Sequence, residues 1–531
     1  MYITVGPFRD ERCFEGNRIP DLKEAHFTHG VEKTDLVIIM DASDKGSCTD
    51  SSATLAHASP CELQRITHRP IKGAVVICSG KVQQQGLNLI STVSTLIHEI
   101  MHILVFSPEI LFQRFYSENN DSRNKSVITV VRRGWKYGGS GFKTVDVTFV
   151  ESPRVLNATR QYTGCDDLEG AELENGGSDG TSKSHWEKRI FGPELMTGVQ
   201  SPIAPFSAIT AALLEDSGWY SVNSSAVEDL NWGKGLGCKF ARQSCREYID
   251  GKPDLADAAY PYCNFRDYIV ESNIRLNMLR CSSKRHYVRT CMFKKNETVD
   301  KEYKVFYGKY ETLDDGSKIS GDHVIGDDEL TDYCPMWKIN QRGSERKRES
   351  DGICSHTHNQ LQELDNYGME VFGASSQCFE QDTLFVKLTC VGPRLFGRVD
   401  YAYEKAFGAG CYDHKCERGR LYLRASGISG TTNSNAFKVC WAKGSSIVLF
   451  RYQKDSRGSV HLYKGTILCP SCQEICEVED NDFKCAPEVQ GISATDPLVS
   501  PCWSKALRPG IATCLILAQL MQIISILACY V

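Results

Sequence analysis

The sequence contains no long basic run, no internal repeat and no extended low-complexity tract. With a formal net charge of -5 over 531 residues, it carries no electrostatic footprint for nucleic acid. The lack of repeats excludes a repeat architecture. The first residues, from Met1 to Val5 and on into Gly6 and Pro7, hold neither a basic n-region nor an apolar h-region, so no signal peptide is visible. The reading favours a truncated N-terminus over non-classical export. At the other end charge is missing: residues 511–531 carry none, and 21 residues are long enough to cross a bilayer. A terminal apolar tail also fits a GPI-attachment signal. Gln519 and Gln522 weaken a plain transmembrane reading, and the type of attachment stays open.

What is abundant is cysteine. There are 24, of which Cys514 and Cys529 lie in the apolar tail; most of the other 22 fall from Cys238 onward, in loop-rich sequence. A cytosolic enzyme rarely carries that load, whereas a secreted chain often does. Five N-x-S/T sequons, at Asn120, Asn124, Asn157, Asn223 and Asn296, agree with a luminal route and are the glycosylation candidates. The expected location is therefore the cell surface or the extracellular space, reached by the secretory pathway, with membrane association through the tail.

A chain of this length exceeds what one hydrophobic core usually serves, so several packed units are expected. Residues 35–40 (DLVIIM) and 73–78 (GAVVIC) read as strands of one sheet. In residues 87–106, Ile90, Val93, Ile97, Met101 and Leu104 recur at helical spacing, which predicts a largely buried helix. Residues 127–131 and 145–150 are strand-like, and 175–184 form a Gly/Ser-rich loop. Residues 206–219 read as a helix with Ser207 as N-cap and Gly218 just past its end. RLYLRASG and SIVLFRYQ, in the cysteine-rich part, read as strands.

The chemistry-bearing motif is His98-Glu99-Ile100-Met101-His102, an HExxH inside the predicted helix. Residues four apart share a helix face, so both imidazoles can reach one zinc ion, and Glu99 is placed to act as general base on water. Independent placement yields roughly 0.02 such motifs in a chain of this composition. The bland alternative, two histidines on a polar face, conflicts with the apolar flanks LI and ILVF. Buried without a partner, these groups would be costly.

A third ligand does not follow within a few residues; the next histidine is His185, in SHWEKRIFGPELMTG. At this point the chain resembles the leishmanolysin (invadolysin-like) zinc peptidases, whose third histidine comes after a long insertion. The resemblance rests on LAHASPCELQ, RPIKGAVVIC, ELENGGSDGTSKSHWEKR, ELMTG, ITAALLEDSGWY and WGKGLGC, and more weakly on KGTILCPSC. It covers most of residues 35–245 and more loosely the rest to about 490. It implies one Zn2+ per chain held by His98, His102 and His185, Glu99 as general base, and Met196 as the methionine of the turn beneath the metal. It implies hydrolysis of protein or peptide substrates. The implied fold is α+β: a metzincin-like catalytic domain with a mixed sheet and active-site helix (1–107), a central subdomain supplying the third histidine and the Met-turn (108–237), and a disulfide-rich, β-rich C-terminal domain (238–500), followed by the apolar tail (505–531).

Two departures stand out. The family usually has Gly three residues after the second histidine, where the helix ends sharply; here it is Val105, and a β-branched residue is poorly suited to positive φ. In addition, no pro-segment cysteine is assignable; Cys13 lies before the domain. Val105 and the missing N-terminus support a rival from another class, a catalytically weak surface protein acting in adhesion or interaction. Cys469-x-x-Cys472 with Cys476 is read as disulfide chemistry and not as a second zinc site, and His356 and His358 as solvated.

Overall fold

The β-branched run before the motif helix makes a small mixed sheet. β1 (Val37–Ser43) lies parallel to β3 (Pro70–Cys78), and β2 (Ala56–Leu63) lies antiparallel to β3 on its other side. The central strand β3 buries Ile71, Ala74, Val75 and Cys78. This computed structural model describes most of residues 31–491 and a strand at Ile3–Val5; the longer stretches outside it are 6–30, 115–126, 265–278, 296–302, 341–351, 428–435 and 492–531. Asn120, Asn124, Asn296 and the apolar tail therefore lie outside the described residues, as does Cys13.

The described chain is an α+β protein with several sheets. Nine disulfides join described cysteines. It divides into two compact units: residues 1–277 with 291–338 and 344–349, and residues 278–290 with 339–343 and 350–531.

In the first unit the motif helix α1 (Leu89–Leu104) packs on the mixed sheet. Close approach is allowed by Gly73 in β3, where a Cβ would stand 2.3 Å from Ile103 Cγ2. A hairpin of Ile128–Lys136 and Phe142–Val150 follows, extended by the short strand Ala171–Glu172. Next comes α2 (Pro153–Thr163), with Pro at its first turn and the left-handed Gly164 at its end. Its first amide groups are satisfied from outside: Arg154 N and Val155 N donate to Asp216 Oδ2 at 2.8 and 3.1 Å. Asp216 closes α3 (Ala208–Asp216), whose N-cap Ser207 accepts from Ile209 N and Thr210 N. The core gathers Val105, Phe106, Trp186, Phe191, Met196 and Leu213.

The motif helix is less buried than its apolar periodicity predicts. Val93 and Ile97 are 44% and 40% exposed among the described residues, while Glu99, His102 and Ile103 are buried. The sheet takes the Ile103 side of the helix, and among the described side chains of the predicted stripe only Met101 and Leu104 reach the core. A period of 3.6 marks a face but does not say which neighbour it meets.

The second unit is built on a seven-stranded antiparallel sheet whose central strand is the long Ser376–Val391. Arg420–Arg424 and Ser446–Lys454 are strands of it, as the sequence indicates. Cys469, Cys472 and Cys476 form disulfides with Cys440, Cys485 and Cys416. All three thiols of the CxxC cluster are therefore consumed in staples.

The Gly73–Ile103 contact sets how closely α1 lies on its sheet. Gly73→Ala is expected to destabilise this unit by about 1–3 kcal/mol through overpacking. Adding Ile103→Ala should return part of the loss. Thermal melting of the single and double variants checks this; a double variant that sums both losses would refute the steric account.

Candidate metal centre

Helix α1 puts His98 and His102 one turn apart on the same face. His185 arrives from the end of the Gly/Ser-rich loop. The three Nε2 atoms form a near-equilateral triangle: 3.1 Å between His98 and His185, 3.1 Å between His98 and His102, and 3.2 Å between His102 and His185. Every Nδ1 faces a backbone carbonyl, that of Leu195 at 2.6 Å for His98, Phe106 at 2.8 Å for His102 and Thr181 at 3.0 Å for His185. A carbonyl only accepts, so each Nδ1 carries the proton and each Nε2 presents a lone pair. Three lone pairs facing one another repel unless a cation lies among them.

The donor set fits zinc. Imidazole nitrogens at about 2.0–2.1 Å from a tetrahedral ion stand roughly 3.3 Å apart. Fixing the tautomer through the other ring nitrogen is the usual outer-shell arrangement of metal-bound histidine. Burial lowers the proton affinity of all three rings: His98 below its ordinary value despite the Leu195 carbonyl, His102 to about 3 by burial and by His98, and His185 well below by burial and its two neighbours. They are neutral, ligand-competent imidazoles at physiological pH. Beside them, burial raises the Glu99 carboxyl to about 8, and its Oε2 has no hydrogen-bond partner among the described residues.

The loop carrying His185 is held from several sides. Ser184 Oγ donates to Gly180 O at 2.9 Å and to Thr181 O at 3.0 Å. A Cβ at Gly198 would stand 2.8 Å from Thr181 Cγ2 and 2.9 Å from Leu330 Cδ1, so a larger residue there would push the Thr181 or Leu330 side chain aside. Trp186 is fully buried and meets Phe106 edge-on at 4.6 Å between ring centroids. Glu187 caps the short helix Lys188–Phe191. Lys188 Nζ pairs with Asp328 at 2.6 Å, and the buried Arg189 pairs with Glu172 at 3.1 Å and Asp332 at 3.2 Å. Burial alone would raise Asp328, but Lys188 and Lys338 outweigh it and hold its carboxyl at about 2. The motif SHWEKR is thus one candidate metal-site histidine followed by a core anchor and a set of ion-pair anchors. Glu172, Asp328, Leu330 and Asp332 escape sequence reading, because their partners lie up to 143 residues away. The one available signal is the charge packed directly behind His185.

Met196 is fully buried, and its carbonyl accepts from Trp186 N at 2.9 Å. It lies in the turn that aims the Leu195 carbonyl at His98. Glu194, also missed by sequence reading, binds the backbone of the same turn at Met196 N.

Val105 does not impose the strain its residue type suggests. It is absent from the described residues with positive φ. The helix instead ends with both Val105 N and Phe106 N donating to Met101 O, at 3.0 and 2.9 Å, and with Ser107 N turning back to Val105 O. That turn points the Phe106 carbonyl at His102. The Val105 side chain is fully buried in the core. Val105→Gly should therefore not raise activity. It should cost about 2–4 kcal/mol through the cavity and the freed backbone, measured by thermal or denaturant melting. A gain in activity would show that the valine impairs the turn.

Asn157 and Asn223 are both exposed. His358 is exposed and His356 partly so. Among the described residues no helix is long and apolar enough to cross a membrane.

The sequence profile of one family, described as leishmanolysin, matches residues 2–482. The leishmanolysin-like peptidase of Caenorhabditis elegans is 31% identical over 492 residues, covering 87% of this chain and 69% of that protein. That of Drosophila melanogaster is 30% identical over 474 residues, covering 84% and 64%. The leishmanolysin of Leishmania donovani is 30% identical over 223 residues, covering 42% and 33%. With this match along nearly its whole length, the chain belongs to the leishmanolysin family of metallopeptidases.

Proposed function

We propose that the chain is a zinc-dependent endopeptidase, with His98, His102 and His185 holding one Zn2+ and Glu99 serving as general base. The observation that carries this reading is the triangle of three Nε2 lone pairs, each ring fixed by a backbone carbonyl, next to a buried and unpartnered carboxylate. A zinc ion bound there supplies Lewis acidity toward the scissile carbonyl and acidifies water. Glu99 takes the proton of the attacking water and delivers it to the leaving amine. It lies buried beside the three imidazoles, with its Oε2 unpartnered among the described residues and so free to hold a proton in transit. Met196 packs beneath the site.

The finer organisation belongs to the same reading: a metzincin-like layout in which residues 1–107 carry the helix, 108–237 supply His185 and Met196, and 238–500 form the disulfide-rich part. Substrates are proteins or peptides. The disulfide load favours an extracellular or cell-surface location, with glycans on Asn157 and Asn223 and the tail 505–531 as anchor or GPI signal. The rival, a catalytically weak or inactive surface protein acting in adhesion or interaction, drew in part on Val105, whose backbone is ordinary. It also leaves no role for Glu99.

The test compares the full chain with Glu99→Ala for zinc content and for hydrolysis of an unfolded protein. Wild type should carry one zinc and cleave. The variant should keep its zinc and lose at least about 100-fold in rate. A zinc-free wild type that folds, or a Glu99→Ala chain that cleaves normally, would overturn the assignment.

A further inference from the structure

Glu194 is almost fully buried, and among the described residues no lysine, arginine or histidine pairs with it. Its carboxylate is surrounded by four donors: Met196 N at 2.5 Å, Ser207 N at 3.3 Å, Ser207 Oγ at 2.7 Å and Thr210 Oγ1 at 2.6 Å. Its own carbonyl receives Thr197 N at 3.1 Å and Thr197 Oγ1 at 2.9 Å. A charge buried without a counterion is expensive unless its hydrogen bonds return the energy. A turn that needed only packing has no use for it.

The geometry shows what the carboxylate secures. The residue after it, Leu195, aims its carbonyl at His98 Nδ1, while the Leu195 amide is tied to Pro205 O at 3.1 Å. On the other side, Thr210 Oγ1 donates to Glu194 and accepts from Trp186 Nε1 at 2.9 Å, and Trp186 follows His185 in the chain. The Trp186 amide also donates to Met196 O. One carboxylate therefore joins the N-terminus of α3 and the turn 194–198 and, through Thr210, reaches the indole of Trp186 beside His185. The two histidines flanking this network lie 87 residues apart in the chain.

We propose that Glu194 is a positioning residue of the metal centre. It holds the Leu195 carbonyl on His98 and, through Thr210 and Trp186, holds the frame of His185, so that both imidazoles meet at zinc spacing before the ion arrives. This rests on the zinc reading of the three histidines. An outer-shell partner of this kind is worth about 10–100-fold in metal affinity when removed.

The experiment measures zinc retention against a competing chelator, and the visible spectrum of the cobalt-substituted full chain. It is applied to wild type, His98→Ala, Glu194→Ala, Glu194→Gln and Thr210→Val, with the melting temperature of each zinc-free chain alongside. Glu194→Ala should lose zinc about 10–100-fold more readily and shift the cobalt bands. Thr210→Val should do so in the same direction by less. Glu194→Gln, which sets an NH2 group among the four donors, should fall between them. If Glu194→Ala fails to fold, the other two variants decide. Wild-type retention and spectrum in the Glu194 and Thr210 variants, with only a lower melting temperature, would reduce Glu194 to fold support and overturn the proposal. Failure of wild type to bind zinc, or retention of zinc by His98→Ala, would instead overturn the zinc reading itself.

Discussion

Three imidazole lone pairs brought within 3.2 Å of one another in a buried site form the constraint on which this structure turns. They can coexist only with a cation among them, and each ring must first be held in one tautomer by a group that accepts a hydrogen bond from Nδ1. Backbone carbonyls do this at all three positions, and the carbonyls come from separate segments: the turn after α1, the loop before His185 and the turn of Met196. Side-chain packing then becomes a matter of placing three peptide groups.

The surrounding architecture answers that requirement at different ranges. Close to the site, Gly73 lets α1 approach its sheet, and Trp186 meets Phe106, so the residues next to two of the rings share one core. Farther out, the buried pairs of Arg189 and Lys188 tie the His185 loop to residues 328–332. The Cys245–Cys334 disulfide anchors that later segment beside its pairing turn. Buried ion pairs are poor sources of net stability, because desolvation consumes most of the Coulomb gain. Their value here lies in geometry: a guanidinium held by two carboxylates has one position, and the loop bearing the third imidazole inherits it.

The turn at Val105 shows how a residue type can mislead. Glycine is the usual solution where a helix must stop sharply, because it tolerates positive φ. This chain reaches the same end by sharing the Met101 carbonyl between two amides, and the valine fills core space that a glycine would leave empty. The stripe along α1 misleads in the opposite sense: Val93 and Ile97 have the right spacing for burial, yet they stand exposed among the described residues.

Much of the centre was legible in the amino-acid order alone. HExxH spacing puts two imidazoles and a carboxylate on one helix regardless of what surrounds it, because helical geometry is local. The strands around Val37–Ser43 and Pro70–Cys78, the Ser207 cap and the Gly218 stop follow from equally local rules, as does the inference from cysteine number to disulfides. The third histidine came from resemblance, since nothing in a separation of 83 residues between His102 and His185 says that they meet. Disulfide pairing, the Asp328 and Asp332 anchors, the hydrogen bonds gathered by Glu194 and the ordinary backbone of Val105 were decided only by the tertiary structure. Each depends on which distant peptide group or side chain arrives within hydrogen-bonding distance, and sequence spacing carries no record of that.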